Sequence, residues 1–120
     1  MRLQESGEMY LESIFVLSKK LNGVRSIDIS EYMGYSKPSV SRAVSLLKNG
    51  GYIRMDEDNY ITLTDIGLEI AHKIYERHTL LTDMLIHLGV PADIASQDAC
   101  KMEHAISDES LEAIKKHMGR

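Results

Sequence analysis

The sequence predicts a mainly α-helical fold that contains one short β-hairpin. Apolar residues recur at helical spacing along most of the chain, and two short helical stretches are separated by a glycine-containing turn. Two short runs of strand-forming residues follow them, joined by a polar turn. Helix, turn, helix and hairpin in this order indicate a winged helix-turn-helix. Three more helical stretches come after the hairpin, and we expect them to form a helical dimerisation domain.

The first three helices are predicted from their apolar stripes and from the residues that begin and end them. The first spans residues 5–21 and ends at an Asn-Gly pair. Ser26 is the expected N-cap of a short helix over residues 27–33. Ser36 is the expected N-cap of the next helix, and Pro38 falls in its first turn, where the missing N–H costs nothing.

The third helix presents small and basic side chains on its outer face, a composition that suits the major groove of DNA. Residues 19–54 carry seven basic and two acidic residues, a local charge of +5 in a chain of net charge −4. This asymmetry favours contact with phosphate. The alternative is a helical hairpin with a solvated, serine-rich face. The predicted DNA-binding residues are Ser36, Lys37, Pro38, Ser39, Ser41 and Arg42.

The hairpin is predicted from two strands, over residues 52–55 and 60–63. Its tip is acidic, so we do not expect strong phosphate contacts from this wing. The helices predicted after it are one from Thr64, as N-cap, to about residue 88, one that begins at Pro91, and one over residues 108–118 with Ser107 as N-cap.

The stretch that contains Cys100, Glu103 and His104 brings three kinds of metal ligand together. If it is helical, a thiolate, a carboxylate and an imidazole project from one face within a single turn. Sulfur and imidazole nitrogen favour Fe²⁺, Co²⁺, Ni²⁺ or Zn²⁺ over Mg²⁺ or Ca²⁺. The alternative is an inert buried cysteine beside a solvated Glu-His pair. On the first helix, Met9 and Glu12 are i, i+3 neighbours: either they reach toward one point, or they are a core methionine beside an exposed glutamate.

Composition and cysteine usage exclude several classes of protein. The composition is that of a globular protein, and no apolar run approaches the ~18 residues of a membrane span. We therefore expect a cytoplasmic protein with no membrane partner. The single cysteine excludes an internal disulfide and leaves Cys100 inert, reactive or a ligand. No general base stands apart from the presumed metal ligands, so we expect neither an enzyme nor a small organic substrate.

Five stretches form a specific pattern when taken together and in order. They are E-M-Y-L-E-S-I (8–14), S-K-P-S-V-S-R-A-V (36–44), L-T-D-I-G (63–67), R-H-T-L-L (77–81) and D-A-C-K-M-E-H-A-I-S-D-E (98–109). With this pattern, over nearly all of its length, the chain resembles the diphtheria toxin repressor family of metal-dependent transcriptional repressors. That family includes the manganese transport regulators.

The resemblance implies a set of metal ligands. In the iron-responsive branch, one metal is held by a methionine of the first helix and by the cysteine, glutamate and histidine of a C-x-x-E-H turn. In the manganese branch, carboxylates replace the methionine and the cysteine, and a second metal is bridged. A second site here would lack one bridging carboxylate. Carried onto this chain, the first-site ligands are Met9, Cys100, Glu103 and His104, and the second-site residues are Glu12 and His78.

This chain departs from the family pattern in two respects. The ancillary site of the iron branch uses an acid and a further histidine where this chain has Thr82 and Ser96, so only His78 remains of that set. Longer members also carry an SH3-like third domain, whereas this sequence stops at Arg120. The chain resembles the short, two-domain members.

The residues and the resemblance together predict a homodimeric, metal-activated repressor that senses intracellular Fe²⁺ and controls metal-uptake genes. Residues 1–63 are expected to bind a double-stranded DNA operator, and residues 64–120 to bind metal and dimerise. One alternative is a sensor of Mn²⁺, or of both metals, on the same fold. Another is a metal-independent winged-helix regulator that uses Cys100 as a redox switch.

Overall fold

The computed structural model describes residues 5–119, which are mainly helical and carry one two-stranded antiparallel sheet. The predicted fold class is confirmed. By its contacts the chain divides into two units, Met1–His72 and Lys73–Arg120, so the division lies within a helix. The elements are α1 (Glu5–Lys20), α2 (Ser26–Met33), α3 (Lys37–Asn49), β1 (Ile53–Met55), β2 (Ile61–Leu63), α4 (Asp65–His87), α5 (Ala92–Met102) and α6 (Asp108–His117).

The first unit has an apolar core to which α1, α2, α3 and the hairpin all contribute. Helical spacing places the apolar residues of α1 on one side, and α1 contacts α2, α3 and β2. Burial of each such aliphatic side chain stabilises the unit by about 1.5–3 kcal/mol. The helix that carries Met9 and Glu12 is therefore held against the helix-turn-helix. The buried side chains of this core include Leu11, Ile14, Ile29, Val40, Val44, Ile53 and Ile61.

The turn between α2 and α3 is fixed by a glycine and by a serine cap. Gly34 has a φ of 72°, the left-handed conformation that favours glycine, and its N–H donates to the Ser30 carbonyl over 2.9 Å. Ser36 Oγ accepts a hydrogen bond from the backbone N–H of Ser39 (3.3 Å), and Pro38 lies in the first turn of α3. The predicted cap and start of α3 are confirmed.

The prediction that Ser26 is the N-cap of α2 is wrong by one residue. Arg25 holds the cap position, with extended backbone, and Ser26 is the first helical residue. The physical reason is a carboxylate in the first turn, because the Arg25 N–H donates to Asp28 Oδ2 over 2.9 Å. A search for a serine or threonine cap overlooks this arrangement, in which a carboxylate of the first helical turn accepts the N–H of the cap residue.

The wing pairs Ile53 with Leu63 and Met55 with Ile61, so each strand is one residue shorter than predicted. At its tip, Asp56 Oδ1 accepts the backbone N–H groups of Asp58 and Tyr60, both over 2.9 Å. The acidic tip is thus a well-defined turn. In addition to its pairing with β1, Ile61 forms an isolated antiparallel bridge with Val24, and the Ile61 N–H donates to the Val24 carbonyl over 2.7 Å.

A close contact joins the wing to the first turn of α4. Thr64 Oγ1 accepts from the Gly67 N–H (3.2 Å), which confirms Thr64 as the predicted cap, and its own hydroxyl donates to the Gly51 carbonyl (2.7 Å). A Cβ atom on Gly67 would lie 2.0 Å from the carbonyl oxygen of Tyr52. Only glycine allows the helix to begin this close to the wing.

The second unit contains most of α4 together with α5 and α6. Pro91 occupies the N-cap of α5, and Ser107 Oγ accepts the Ser110 N–H (3.1 Å) and caps α6 as predicted. No described helix is both long enough and apolar enough to cross a membrane. α6 has no fully buried residue, so the core of this unit comes from the other two helices. Its buried apolar residues are Ile74, Leu80, Leu81, Ala95 and Ala99.

Candidate metal centre and DNA-binding face

Glu103 is the centre of a buried polar cluster in the second unit. Its side chain has no exposed surface, and its two carboxylate oxygens face two different imidazoles. Glu103 Oε2 lies 2.9 Å from His78 Nδ1, and Glu103 Oε1 lies 3.2 Å from His104 Nε2. The structure therefore brings together three of the six predicted metal-binding residues within one unit.

The carboxylate of Glu103 is incompletely satisfied by protein groups. Among the residues that the structure describes, no donor makes a hydrogen bond to Oε1, although this atom is buried. A buried polar atom left in this way costs about 1–3 kcal/mol, unless another group, such as a cation, takes its lone pair. Carboxylate oxygen and imidazole nitrogen are both ligands for divalent transition metals. The observed donors fit a metal ion.

Cys100 lies one turn before Glu103, near the end of α5, and its thiol is half-buried. The prediction that one helix carries all three ligands needs correction, because α5 ends at Met102. Glu103 is the C-cap and keeps helical dihedral angles (φ −61°, ψ −26°), whereas His104 lies in the turn beyond it. The i, i+3 relation of Cys100 and Glu103 thus retains helical geometry, but the imidazole is positioned by a turn.

His78 projects from α4, and protein groups face both of its ring nitrogens. Nδ1 faces Glu103, and Nε2 lies 3.4 Å from Ser96 Oγ. Thr82 Oγ1 donates to the His78 carbonyl over 2.7 Å. The two residues at which the sequence departs from the iron-branch pattern are therefore hydroxyls that contact His78. Ser96 contacts the imidazole and Thr82 the backbone of His78, and neither residue adds a carboxylate or an imidazole.

Arg77 is a residue of this cluster that sequence reasoning missed. Its guanidinium is nearly buried, and Nη1 donates to the carbonyls of Glu103 (3.1 Å) and Ile106 (2.9 Å). Nη2 forms an ion pair with the Asp108 carboxylate. The only sequence signal was an arginine directly before His78 in a helix, and a charged residue is rarely fully buried unless it is paired. The pairing partner is 31 positions away, so no local pattern revealed it.

Met9 and Glu12 belong to the first unit, one turn apart on α1. Both side chains are half-buried, and Ser13 Oγ donates to the Met9 carbonyl over 2.8 Å. The alternative, a core methionine beside an exposed glutamate, does not describe these positions, because Met9 is not fully buried and Glu12 is not fully exposed. Their role as ligands remains a prediction.

The predicted DNA-binding residues form one face of α3 and of the turn before it. Five of the six are exposed, and Ser39 is half-buried. Ser39 Oγ accepts from the Ser36 hydroxyl (2.9 Å) and lies 3.5 Å from Arg42 Nη2, a weak contact that leaves the guanidinium accessible. Another basic residue of the positive segment, Arg25, is already engaged within the protein, because its guanidinium stacks 4.2 Å above the Tyr60 ring.

Tyr10 lies behind this face and links α1 to it. Its ring is buried and packs 6.0 Å from the ring of Tyr35, at an interplanar angle of 58°. Burial raises the pKa of the Tyr10 hydroxyl, Tyr35 raises it further, and the positive charge of Arg42 opposes both. The phenol therefore stays protonated well into the alkaline range.

Two family models match the chain, one over its N-terminal half and one over its C-terminal half. Residues 2–61 match a family described as the iron dependent repressor, N-terminal DNA binding domain. Residues 64–120 match the iron dependent repressor, metal binding and dimerisation domain. These two matches follow each other along the chain and cover nearly all of it.

Several relatives and solved structures are similar to the chain. An HTH-type transcriptional regulator of Methanocaldococcus jannaschii is 34% identical over 94% of this chain and 92% of its own length. The transcriptional regulator MntR of Escherichia coli is 34% identical over 88% of this chain and 68% of its own length. The iron-dependent repressor IdeR of Mycobacterium tuberculosis is 30% identical over 89% and 47%.

The solved structure of the manganese regulator SloR is similar over 99% of this chain, with a TM-score of 0.82 and 29% identity. The chain spans about half of that structure, 55% of its length. Family models, relatives and fold agree with the motifs read from the sequence, and the resemblance is confirmed. The chain belongs to the diphtheria toxin repressor family of metal-dependent transcriptional regulators.

Proposed function

We propose that this chain is a homodimeric repressor that binds an operator when Fe²⁺ is bound, and that it controls metal-uptake genes in the cytoplasm. Residues 1–63 read the operator, and residues 64–120 bind metal and dimerise. One observation carries the proposal: the buried Glu103 carboxylate, set between His78 and His104, has an oxygen without a hydrogen bond. It lies in the segment that matches a metal-binding domain.

The proposed ligands divide into two sets. Met9, Cys100, Glu103 and His104 hold the activating metal, and Glu12 and His78 contribute to a second site. A bound metal supplies positive charge to the Glu103 carboxylate and a fixed point for donors from α1 and from the second unit. Ligands recruited from separate parts of the chain couple metal binding to conformation.

The choice of Fe²⁺ rests on the soft donors. The thioether of Met9 and the thiolate of Cys100 gain more from Fe²⁺ or Co²⁺ than from Mn²⁺, which is the weakest binder in the affinity order. The similar proteins do not decide between the two metals, because SloR is described as a manganese regulator and IdeR as an iron-dependent repressor. A sensor of Mn²⁺, or of both metals, is the second candidate, since Glu12 and His78 are both present.

Operator recognition is assigned to the exposed face of α3. Its side chains suit the major groove, and Arg42 has the planar donor fork that pairs with guanine. Lys37 is an exposed point charge in the first turn of α3 and is assigned to phosphate. Two such faces in a homodimer would meet successive major grooves about 34–36 Å apart.

Dimerisation is assigned to the second unit, in agreement with the description of the matching domain. Three large apolar side chains of this unit are exposed: Ile86, Leu88 and Ile94, at 44%, 71% and 46%. Ile86 lies at the end of α4, Leu88 in the α4–α5 connection and Ile94 at the start of α5. Burial of this apolar surface against a second copy supplies the driving force that dimer formation requires.

The decisive experiment is an anaerobic DNA-binding titration against Fe²⁺, Mn²⁺, Co²⁺ and Zn²⁺. The parent chain, Cys100→Ala and the double variant Met9→Asp with Cys100→Glu are compared. Loss of one ligand should weaken the response to every metal, whereas the oxygen-rich double variant should gain response to Mn²⁺. Equal parent responses to Fe²⁺ and Mn²⁺, unchanged in the double variant, would refute the assignment of iron.

The redox alternative is tested separately with a thiol reagent. A ligated thiolate is protected from modification, so Fe²⁺ should slow the reaction of Cys100. If the reaction rate is the same with and without metal, while oxidation of the thiol alone changes DNA affinity, the chain is a redox regulator instead.

A further inference from the structure

The turn between α5 and α6 carries two proposed metal ligands, and an arginine from α4 holds it in place. Glu103 and His104 lie in this turn, which ends where Ser107 caps α6. Arg77 donates to the carbonyl of Glu103 at the start of the turn and to that of Ile106 near its end. It pairs with Asp108 in the first turn of α6.

These contacts satisfy backbone groups that the helices leave open. The carbonyl groups at a helix C-terminus have no partner within the helix and must find one elsewhere. In the described structure, backbone N–H groups beyond α5 donate to the Met102 carbonyl, while Arg77 takes the carbonyls of Glu103 and Ile106. The side chain therefore contacts both ends of the turn from which the carboxylate and the imidazole project.

The chemistry of the contact requires a guanidinium. One planar fork reaches two carbonyls and a carboxylate at once, whereas an ammonium group is a single point with no fixed plane. The Arg77 side chain is only 10% exposed, and Asp108, at 69%, is open to solvent. Asp108 also lies 3.6 Å from the exposed Lys73, so one carboxylate has a buried partner and an exposed one.

We propose that Arg77 is a positioning residue that sets the metal-ligand turn in its binding conformation before metal arrives. This inference rests on the proposed function and adds a specific residue to it. Groups that orient metal ligands typically change metal affinity by 10- to 100-fold when they are altered. Arg77 acts on Glu103 and His104 through the backbone and has no direct role as a ligand.

The test compares Arg77→Lys with a matched control, Lys73→Ala. Lys73→Ala removes the exposed partner of Asp108 but leaves the turn held. Both variants and the parent are titrated anaerobically with Co²⁺, with the thiolate charge-transfer and d–d absorption bands as the readout. Arg77→Lys should bind Co²⁺ about 10- to 100-fold more weakly and with altered bands, and Lys73→Ala should match the parent.

A second variant and a stability measurement separate positioning from folding. Asp108→Asn removes the negative charge that pairs with Arg77 at an exposed site, and should lower the Co²⁺ affinity less than Arg77→Lys does. Urea unfolding in chelator reports whether each variant is folded before titration. If Arg77→Lys does not fold, a Co²⁺ affinity of Asp108→Asn equal to that of the parent overturns the inference.

Each remaining outcome has a defined meaning. Parent affinity and parent bands in a folded Arg77→Lys variant overturn the inference, and so does an equal loss in Lys73→Ala, because a variant that keeps every contact of Arg77 would then weaken metal binding as much. A parent chain that binds no Co²⁺ overturns the proposed function and the inference together. A parent that binds Co²⁺ while Arg77→Lys binds equally well overturns the inference alone.

Discussion

Replacing Glu103 by glutamine should stabilise the metal-free protein and remove most of the stabilisation that it gains from metal. In the parent chain, a fully buried carboxylate has His78 Nδ1 2.9 Å from one oxygen and His104 Nε2 3.2 Å from the other, and only the first contact is a hydrogen bond. A glutamine of the same shape can accept from His78 on one side and donate an N–H toward His104 on the other.

The expected change in the free energy of unfolding follows from the position of Glu103 Oε1, which has no hydrogen bond within the described part of the parent and gains one in the variant. An unsatisfied buried polar atom costs about 1–3 kcal/mol, so Glu103→Gln should raise the free energy of unfolding without metal by about that amount. The parent should gain about 2.7 kcal/mol at a metal concentration 100 times Kd, because the ion binds only the folded state. The variant should lose most of this gain, since a neutral amide is a poor ligand for a divalent ion.

The measurement is urea unfolding followed by circular dichroism, in chelator and with Co²⁺ under anaerobic conditions. Glu112→Gln makes the same chemical change at an exposed position of α6 and serves as the control. The reasoning would be refuted if metal-free Glu103→Gln were less stable than the parent. It would also be refuted if the variant gained as much stability from Co²⁺ as the parent does.

Four further substitutions test the first unit. Arg42→Ala should weaken operator binding by about 1–3 kcal/mol more than nonspecific binding, whereas Lys37→Ala should weaken both alike and reduce the slope of log affinity against log salt by about one; equal effects in anisotropy titrations would contradict the two roles. Tyr10→Phe should remove part of the loss of stability that the parent suffers as the pH rises above 10.0, because the raised pKa of Tyr10 keeps the folded form protonated while the unfolded form ionises. Urea unfolding at pH 8 and at pH 11 measures this, and identical pH dependence of parent and variant would argue against it. Gly67→Ala should destabilise the chain by about 1–3 kcal/mol, since its Cβ would clash with the Tyr52 carbonyl; a melting temperature equal to that of the parent would show that the contact relaxes freely.

Local chemistry was enough to predict most of the fold. The caps at Ser36, Thr64 and Ser107 act within three residues of the helix that they begin, so a reader of the sequence needs no knowledge of distant parts. The reliance on local hydroxyl groups also explains the wrong prediction of Ser26 as the cap of α2. Ser26 was the nearest hydroxyl, but a carboxylate at Asp28 that accepts the N–H of Arg25 moved the cap by one residue.

The candidate site was predicted less completely, because its geometry is not local. The residue types of the C-x-x-E-H stretch signalled metal chemistry, and the family resemblance supplied the distant His78. Nothing in the spacing showed that α5 ends before Glu103, or that Arg77 reaches Asp108 across 31 positions. Buried charges acquire partners through tertiary packing, and a one-dimensional pattern carries little information about which partner is chosen.

The bridge between Val24 and Ile61 has a consequence for how the wing can vary. An isolated two-stranded hairpin is marginally stable in water, but here the hairpin is hydrogen-bonded to its surroundings at both ends of its sheet. The Ile61 N–H, next to the tip, donates to the Val24 carbonyl in the segment before α2, and the Thr64 N–H at the start of α4 donates to the Tyr52 carbonyl at the base. The amide hydrogen of Ile61 should therefore exchange with solvent only when the helix-turn-helix itself opens. The tip around Asp56 and Asn59 has no such anchor outside its own turn among the bonds described, so insertions there would change the reach of the wing while leaving its foundation intact.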